Sequence, residues 1–82
     1  MPGPSQTDPV ERKVVLLLKE ARLRQGISAT QLAAKIGISR AAITHLEADR
    51  SRPTLWLLLK ISNGLGFKLT GFVRTAENQN ED

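Results

Sequence analysis

The sequence predicts an all-α fold: one small domain of four or five short helices, with a β-strand appended at its C-terminal end. Three observations carry that expectation. Apolar residues recur at three- and four-residue intervals, the spacing of helices that each bury one face. Gly26, Gly37, Gly64 and Gly66 interrupt the pattern where helices would end. Ser28 and Ser39 follow two of those breaks, in the place of a helix N-cap. A chain of 82 residues has room for one domain, and an apolar content of 40% supplies a small core.

Residues 1–9 hold prolines, a glycine and polar groups, and read as a disordered leader. A first helix is expected from about Val10 to Gln25, with Pro9 just before it. Val14, Leu18 and Ala21 share one face and Leu17 widens the stripe. Gly26 ends it. Ser28 then caps a second helix, with Gln31 three residues later as a capping box requires. Leu32, Ala33 and Ile36 form its apolar face, and Gly37 breaks it. Ser39 caps a third helix from Arg40 to about Ala48, with Ile43 and Leu46 inward. Pro53 suits the first turn of a fourth, from Thr54 to about Leu65. These helices make a domain over 10–66.

After Gly66 the period changes. Phe67, Leu69, Gly71 and Val73 alternate with Lys68, Thr70, Phe72 and Arg74, which predicts a strand over 67–74, weakened by Gly71. A lone strand needs a partner for its main-chain groups. The same strand of a second copy, paired across a two-fold axis, would supply one. A fifth helix is the competing reading. Residues 75–82 are polar and acidic and read as a mobile tail.

Composition excludes several classes of function. There is no cysteine and one histidine, so neither a metal site nor a cofactor is expected. The apolar run from Val14 to Leu18 falls far short of the ~20 residues of a membrane span. The first residues, Met-Pro-Gly-Pro, lack the features of a secretory signal. The expectation is a soluble domain in the cytoplasm. No nucleophile–base set, glycine-rich phosphate loop or carboxylate pair supports an enzyme. Charge gives the positive clue. All 12 Lys and Arg lie within 9–74 against only Glu11, Glu20, Glu47 and Asp49, a formal +8, and the acids outside that stretch bring the chain to +4. A body this basic suits a polyanion such as nucleic acid, or a surface tuned for solubility.

The informative stretch runs from Ala29 to Leu46. Two short helices meet at Gly37 with no room for a longer loop, and Ala33 is small enough to let them approach. Leu32, Ile36, Ile38, Ile43 and Leu46 are apolar where the pair must bury its inner face. This is the helix-turn-helix pattern, whose second helix enters the major groove of DNA. The runs LKEARLRQGIS from Leu18, QLAAKIGISR from Gln31 and ITHLE from Ile43, with Arg52-Pro53 and Leu65-Gly66, resemble the Xre family, which includes phage repressor and Cro proteins. The resemblance covers about Val14 to Phe67. It implies a four- or five-helix DNA-binding domain acting as a dimeric repressor, associated with the nucleoid, and an ion pair between Arg22 and Glu47 that ties the first helix to the third. The short chain and the expected C-terminal strand also resemble antitoxins, which bind a toxin and repress their own operon; a controller of a restriction–modification operon is a third reading with the same DNA chemistry. The sequence departs from the family at Ala29, where glutamine is usual, and at Asp49, where glycine is usual. It departs again at Trp56 and Leu57, where polar residues are common, so that either local packing or an interface must cover them.

The outward residues of the third helix give the candidates for reading DNA. Arg40 suits a guanine edge through two parallel hydrogen bonds, with a phosphate as the alternative. Ala41 and Thr44 suit a thymine methyl, and His45 a base or a phosphate. Candidate phosphate contacts are Ser39, Gln31 and Lys35, then Arg50, Arg52 and Thr54 at the start of the fourth helix. Arg12, Lys13 and Arg24 read as ordinary solvated charges. Trp56, Leu57, Phe67, Leu69, Phe72 and Val73 are the candidates for a dimer or toxin interface.

Overall fold

The computed structural model describes residues 8–79, which form five helices. Helix α1 spans Pro9–Arg24. Asp8 caps it, accepting from Val10 N at 2.8 Å, and Pro9 takes the first helical position, where a missing N–H does no harm. Helix α2 spans Ala29–Ile36. Both halves of its capping box form: Gln31 N donates to Ser28 Oγ at 3.0 Å and Ser28 N to Gln31 Oε1 at 2.8 Å. Helix α3 spans Arg40–Glu47 under a Ser39 cap, and α4 spans Leu55–Gly64 under a Thr54 cap. Pro53 thus stands just outside α4, one place before the cap.

The strand expected over 67–74 does not form; helix α5, Leu69–Gln79, takes its place. The reason lies in which residues get buried. Leu69, Phe72, Val73 and Ala76 fall at i, i+3, i+4 and i+7, and all four are buried or packed against the core. Alternation set Phe72 on the wrong side of the segment and stopped before Ala76, which has no exposed surface at all. As a helix it pairs its main-chain groups within itself and needs no second copy for them, and it packs on α1 and α4 of the same chain. Thr75 to Gln79, expected in a mobile tail, belong to α5. The leader reading falls on residues 1–7, and the rest of the tail on 80–82, outside the described residues; Asp8 and Pro9 already belong to the start of α1.

The core gathers Val14, Val15 and Leu18 of α1, Leu32 and Ala33 of α2, Ile43 and Leu46 of α3, Leu57, Leu58 and Ile61 of α4, then Leu65, Leu69 and Ala76. Leu57 and Leu69, expected at an interface, therefore lie inside the chain's own core. Helix α2 packs on α3 and α4, and α1 packs on α3, α4 and α5. The α2–α4 contact is close because Gly64 brings main chain against the side chains of Ile36 and Leu32.

Candidate nucleic-acid interface

The α2–α3 corner is built by one residue. Gly37 has φ +76°, and both its N–H and that of Ile38 donate to Ala33 O, at 2.9 and 3.0 Å. A left-handed residue there reverses the chain in the least possible length. Ile38 packs against the core, and Ser39 then starts α3, its Oγ accepting from Ala42 N at 3.1 Å. Ile43 and Leu46 face inward, with Ile43 fully buried. Ser39, Arg40, Ala41 and His45 are exposed on the other side, with Ala42 and Thr44 half-buried. Thr44 Oγ1 donates to Ala41 O at 3.2 Å, which leaves its oxygen as an acceptor.

Helix α1 holds α3 from behind. Arg22 and Glu47 meet through two parallel bonds, Nε to Oε2 at 2.8 Å and Nη2 to Oε1 at 2.9 Å, and Arg22 Nη1 donates to Ile27 O at 2.8 Å. Their side chains keep only 10% and 13% exposure. A pair so placed fixes geometry more than it adds stability. A second arginine does what the sequence did not disclose. Arg12, read as a solvated charge, is half-buried and donates to Leu46 O at 3.3 Å and Glu47 O at 3.0 Å. Its acceptors are main-chain carbonyls, which leave no mark in a sequence. Lys13 is half-buried and Arg24 exposed.

The turn after α3 passes through Asp49 at φ +61°, with Arg50 N donating to His45 O at 2.8 Å. The left-handed residue that glycine usually supplies is here an aspartate. Arg50, Ser51 and Arg52 follow, all exposed, and Arg52 Nε lies 3.8 Å from Glu11 Oε1. Thr54 Oγ1 accepts from Leu57 N at 3.1 Å, capping α4. Gln31 and Lys35 are exposed on α2, and Ala29 packs against the core.

The candidates for an interface do not form one patch. Phe67 and Phe72 stack edge to face at 5.5 Å and line a groove between α1 and α5 with Leu17 and Ala21. Val73 lines a different groove, between α4 and α5, with Leu55, Leu59 and the buried Leu69. Leu55, Trp56 and Leu59 are 67%, 60% and 41% exposed. Lys60 Nζ stands 5.5 Å over the Trp56 ring. Leu55 and Leu59 were missed, although five consecutive apolar residues from Leu55 to Leu59 cannot all face inward on one helix. Among the described residues no helix is long and apolar enough to cross a membrane.

Comparison with known proteins agrees with this architecture. A helix-turn-helix family model matches residues 18–72. The chain is 36% identical over 56 residues to the HTH-type transcriptional regulator SutR of Escherichia coli K12; the match takes in 68% of this chain but only 32% of SutR, about a third of that relative's length. The restriction–modification controller protein C.Esp1396I, solved as a tetramer with its natural 35 base-pair operator, superposes with a TM-score of 0.76 at 25% identity, over 88% of this chain and 95% of that one. The clp gene regulator ClgR of Corynebacterium glutamicum shares the fold, with a TM-score of 0.74 at 20% identity over 85% of this chain and 74% of its own. A family match over most of the chain, on a glycine-hinged helix pair with its second helix turned outward, makes this chain a member of the Xre-type helix-turn-helix family, whose proteins are DNA-binding transcriptional regulators and not enzymes.

Proposed function

We propose that the protein is a homodimeric repressor, acting in the cytoplasm on nucleoid DNA, that lays α3 in the major groove of an approximately palindromic operator. One observation carries the reading. The inner face of α3 is buried, its last turn is tied to α1, and Ser39, Arg40, Ala41, Thr44 and His45 are left on the outer side. Arg40, in the first turn, reads a guanine. Ala41, Thr44 and His45 complete the base-reading set. Ser39, Gln31, Lys35, Arg50, Arg52 and Thr54 meet phosphates and set the register.

A single domain of this size makes too few contacts for tight binding, and two copies about 34 Å apart read two half-sites. The apolar groove between α4 and α5 supports a second copy as its cover. Arg74 and Glu77 line it as well, and opposite charges beside one apolar groove suit self-pairing across a two-fold axis. The controller protein solved as a tetramer on its operator supports binding of operator DNA by more than one copy. Exposed Trp56 favours a second reading, in which the chain also binds and neutralises a toxin.

Equilibrium binding across salt tests the proposal. Lys35, Arg50 and Arg52 from each copy release counterions, which gives a slope of log K against log salt of about −5. Arg40→Ala loses about 1–3 kcal/mol and relaxes preference at one base pair. A flat salt dependence, or full sequence preference without Arg40, contradicts it.

A further inference from the structure

We infer that Arg12 is a positioning residue of the DNA-reading helix: it touches no DNA and acts through α3. The inference rests on the reading of α3 above. A helix leaves its last four carbonyls without partners of its own, and α3 has only eight residues to hold it in place. Ala48, Asp49 and Arg50 donate to Thr44 O, Leu46 O and His45 O at 3.0, 3.1 and 2.8 Å. Those donors belong to the turn that follows and travel with the helix. Arg12 comes from another helix, and it takes Glu47 O and Leu46 O together.

The chemistry suits the task. A guanidinium presents its N–H groups in a rigid fork, so two successive carbonyls define the direction of the helix end as well as its place. Its charge also stands at the negative end of the α3 dipole. Arg22 reaches the same turn through the Glu47 side chain. Arg12 and Arg22 are ten residues apart on α1, about 15 Å along its axis. The two side chains leave α1 that far apart and converge on the last turn of α3, one on its main chain and one on the Glu47 carboxylate, so together they fix the end of α3 from two directions. Arg40 lies at the opposite end of α3, about 10 Å away, so a tilt at Glu47 displaces the base-reading guanidinium. Glu11, next in sequence, faces Arg52 across 3.8 Å, so the first turn of α1 also abuts the loop before α4.

The test uses the full chain with Arg12→Met, which keeps an apolar stem, and Arg12→Lys, which keeps the charge without the fork. Arg40→Ala and Arg52→Ala serve as references. Each binds a short duplex selected from a random pool by the wild-type protein, and a scrambled duplex, across a salt series. Both Arg12 variants should lose about 2- to 30-fold on the selected duplex. They should bind the scrambled duplex like wild type and keep the wild-type salt slope. Amide exchange should quicken at the end of α3 while the core of α1 stays protected, which separates displacement from unfolding. An equal loss on both duplexes with a slope shallower by about 1 would make Arg12 a phosphate contact and overturn the inference. So would wild-type binding by both variants, or loss of protection throughout the core. If Arg40→Ala also binds the selected duplex like wild type, the reading of α3 has failed; if only the Arg12 variants do, the role of Arg12 alone has failed.

Discussion

Gly37 and Gly64 both resist replacement by alanine, for opposite reasons. Gly37 has φ +76° and open space where a Cβ would stand. Alanine there costs about 1–2 kcal/mol of backbone strain and collides with nothing. Gly64 sits in ordinary helix, but an added Cβ would collide with Ile36 Cγ2 and crowd Leu32 Cδ1 at 3.3 Å. Overpacking of about 1–3 kcal/mol then outweighs the ~1 kcal/mol that alanine gains in helix propensity. Denaturant unfolding should therefore find both variants destabilised. A double-mutant cycle of Gly64→Ala with Ile36→Ala should show favourable coupling, because Ile36→Ala removes the obstructing methyl. Additive losses would contradict this account of the α2–α4 contact. Of these two glycines the sequence disclosed the hinge, because a break between two helical patterns is local. It did not disclose the close approach at Gly64, which depends on what lies across from it. Arg12 is the same lesson for a charged residue.

At the scale of elements, caps were easier to read than periods. Ser28 with Gln31, and Ser39 before Arg40, announce α2 and α3 through short-range hydrogen bonds that form as the pattern requires. The segment after Gly66 misled because eight residues fit two periods. Leu69 and Val73 belong to both, and only Phe72 and Ala76 decide for the helix. Ala76 is small enough to pass for a tail residue, yet it is fully buried. Ala76→Asp should bury an unpaired carboxylate and destabilise the domain by about 3 kcal/mol or more. Thermal unfolding should register that as a fall in Tm of at least ~12 °C. An unchanged Tm would show that α5 is not part of the folding unit.

At the scale of the whole molecule, burial sorted residues that looked alike in sequence. Leu57 and Leu69 went to the core, while Leu55 and Leu59 stayed on the surface of a groove with Val73. The proposed dimer therefore rests on α4 and α5. Leu59→Asp places a charge in that groove at a side that is already 41% exposed, so folding should be spared. Sedimentation should report a mass of 9.0 kDa for this variant and twice that for the wild type. A wild-type monomer, or a variant that still dimerises, would remove α4–α5 as the interface. The basic excess also divides at this scale: Arg12 and Arg22 hold α3 in place, while Lys35, Arg40, Arg50 and Arg52 remain exposed.

The amino-acid order alone was enough for the helix-turn-helix corner, its caps, its family and the residues on the outer side of α3. Each of these is written in neighbours a few positions apart, where hydrogen-bond spacing and helical period act directly. Folding in three dimensions settled the rest: a fifth helix instead of a strand, which leucines line a groove, and the grip of Arg12 on the end of α3. Those outcomes turn on burial and on main-chain acceptors some 35 residues away, and no local pattern encodes either.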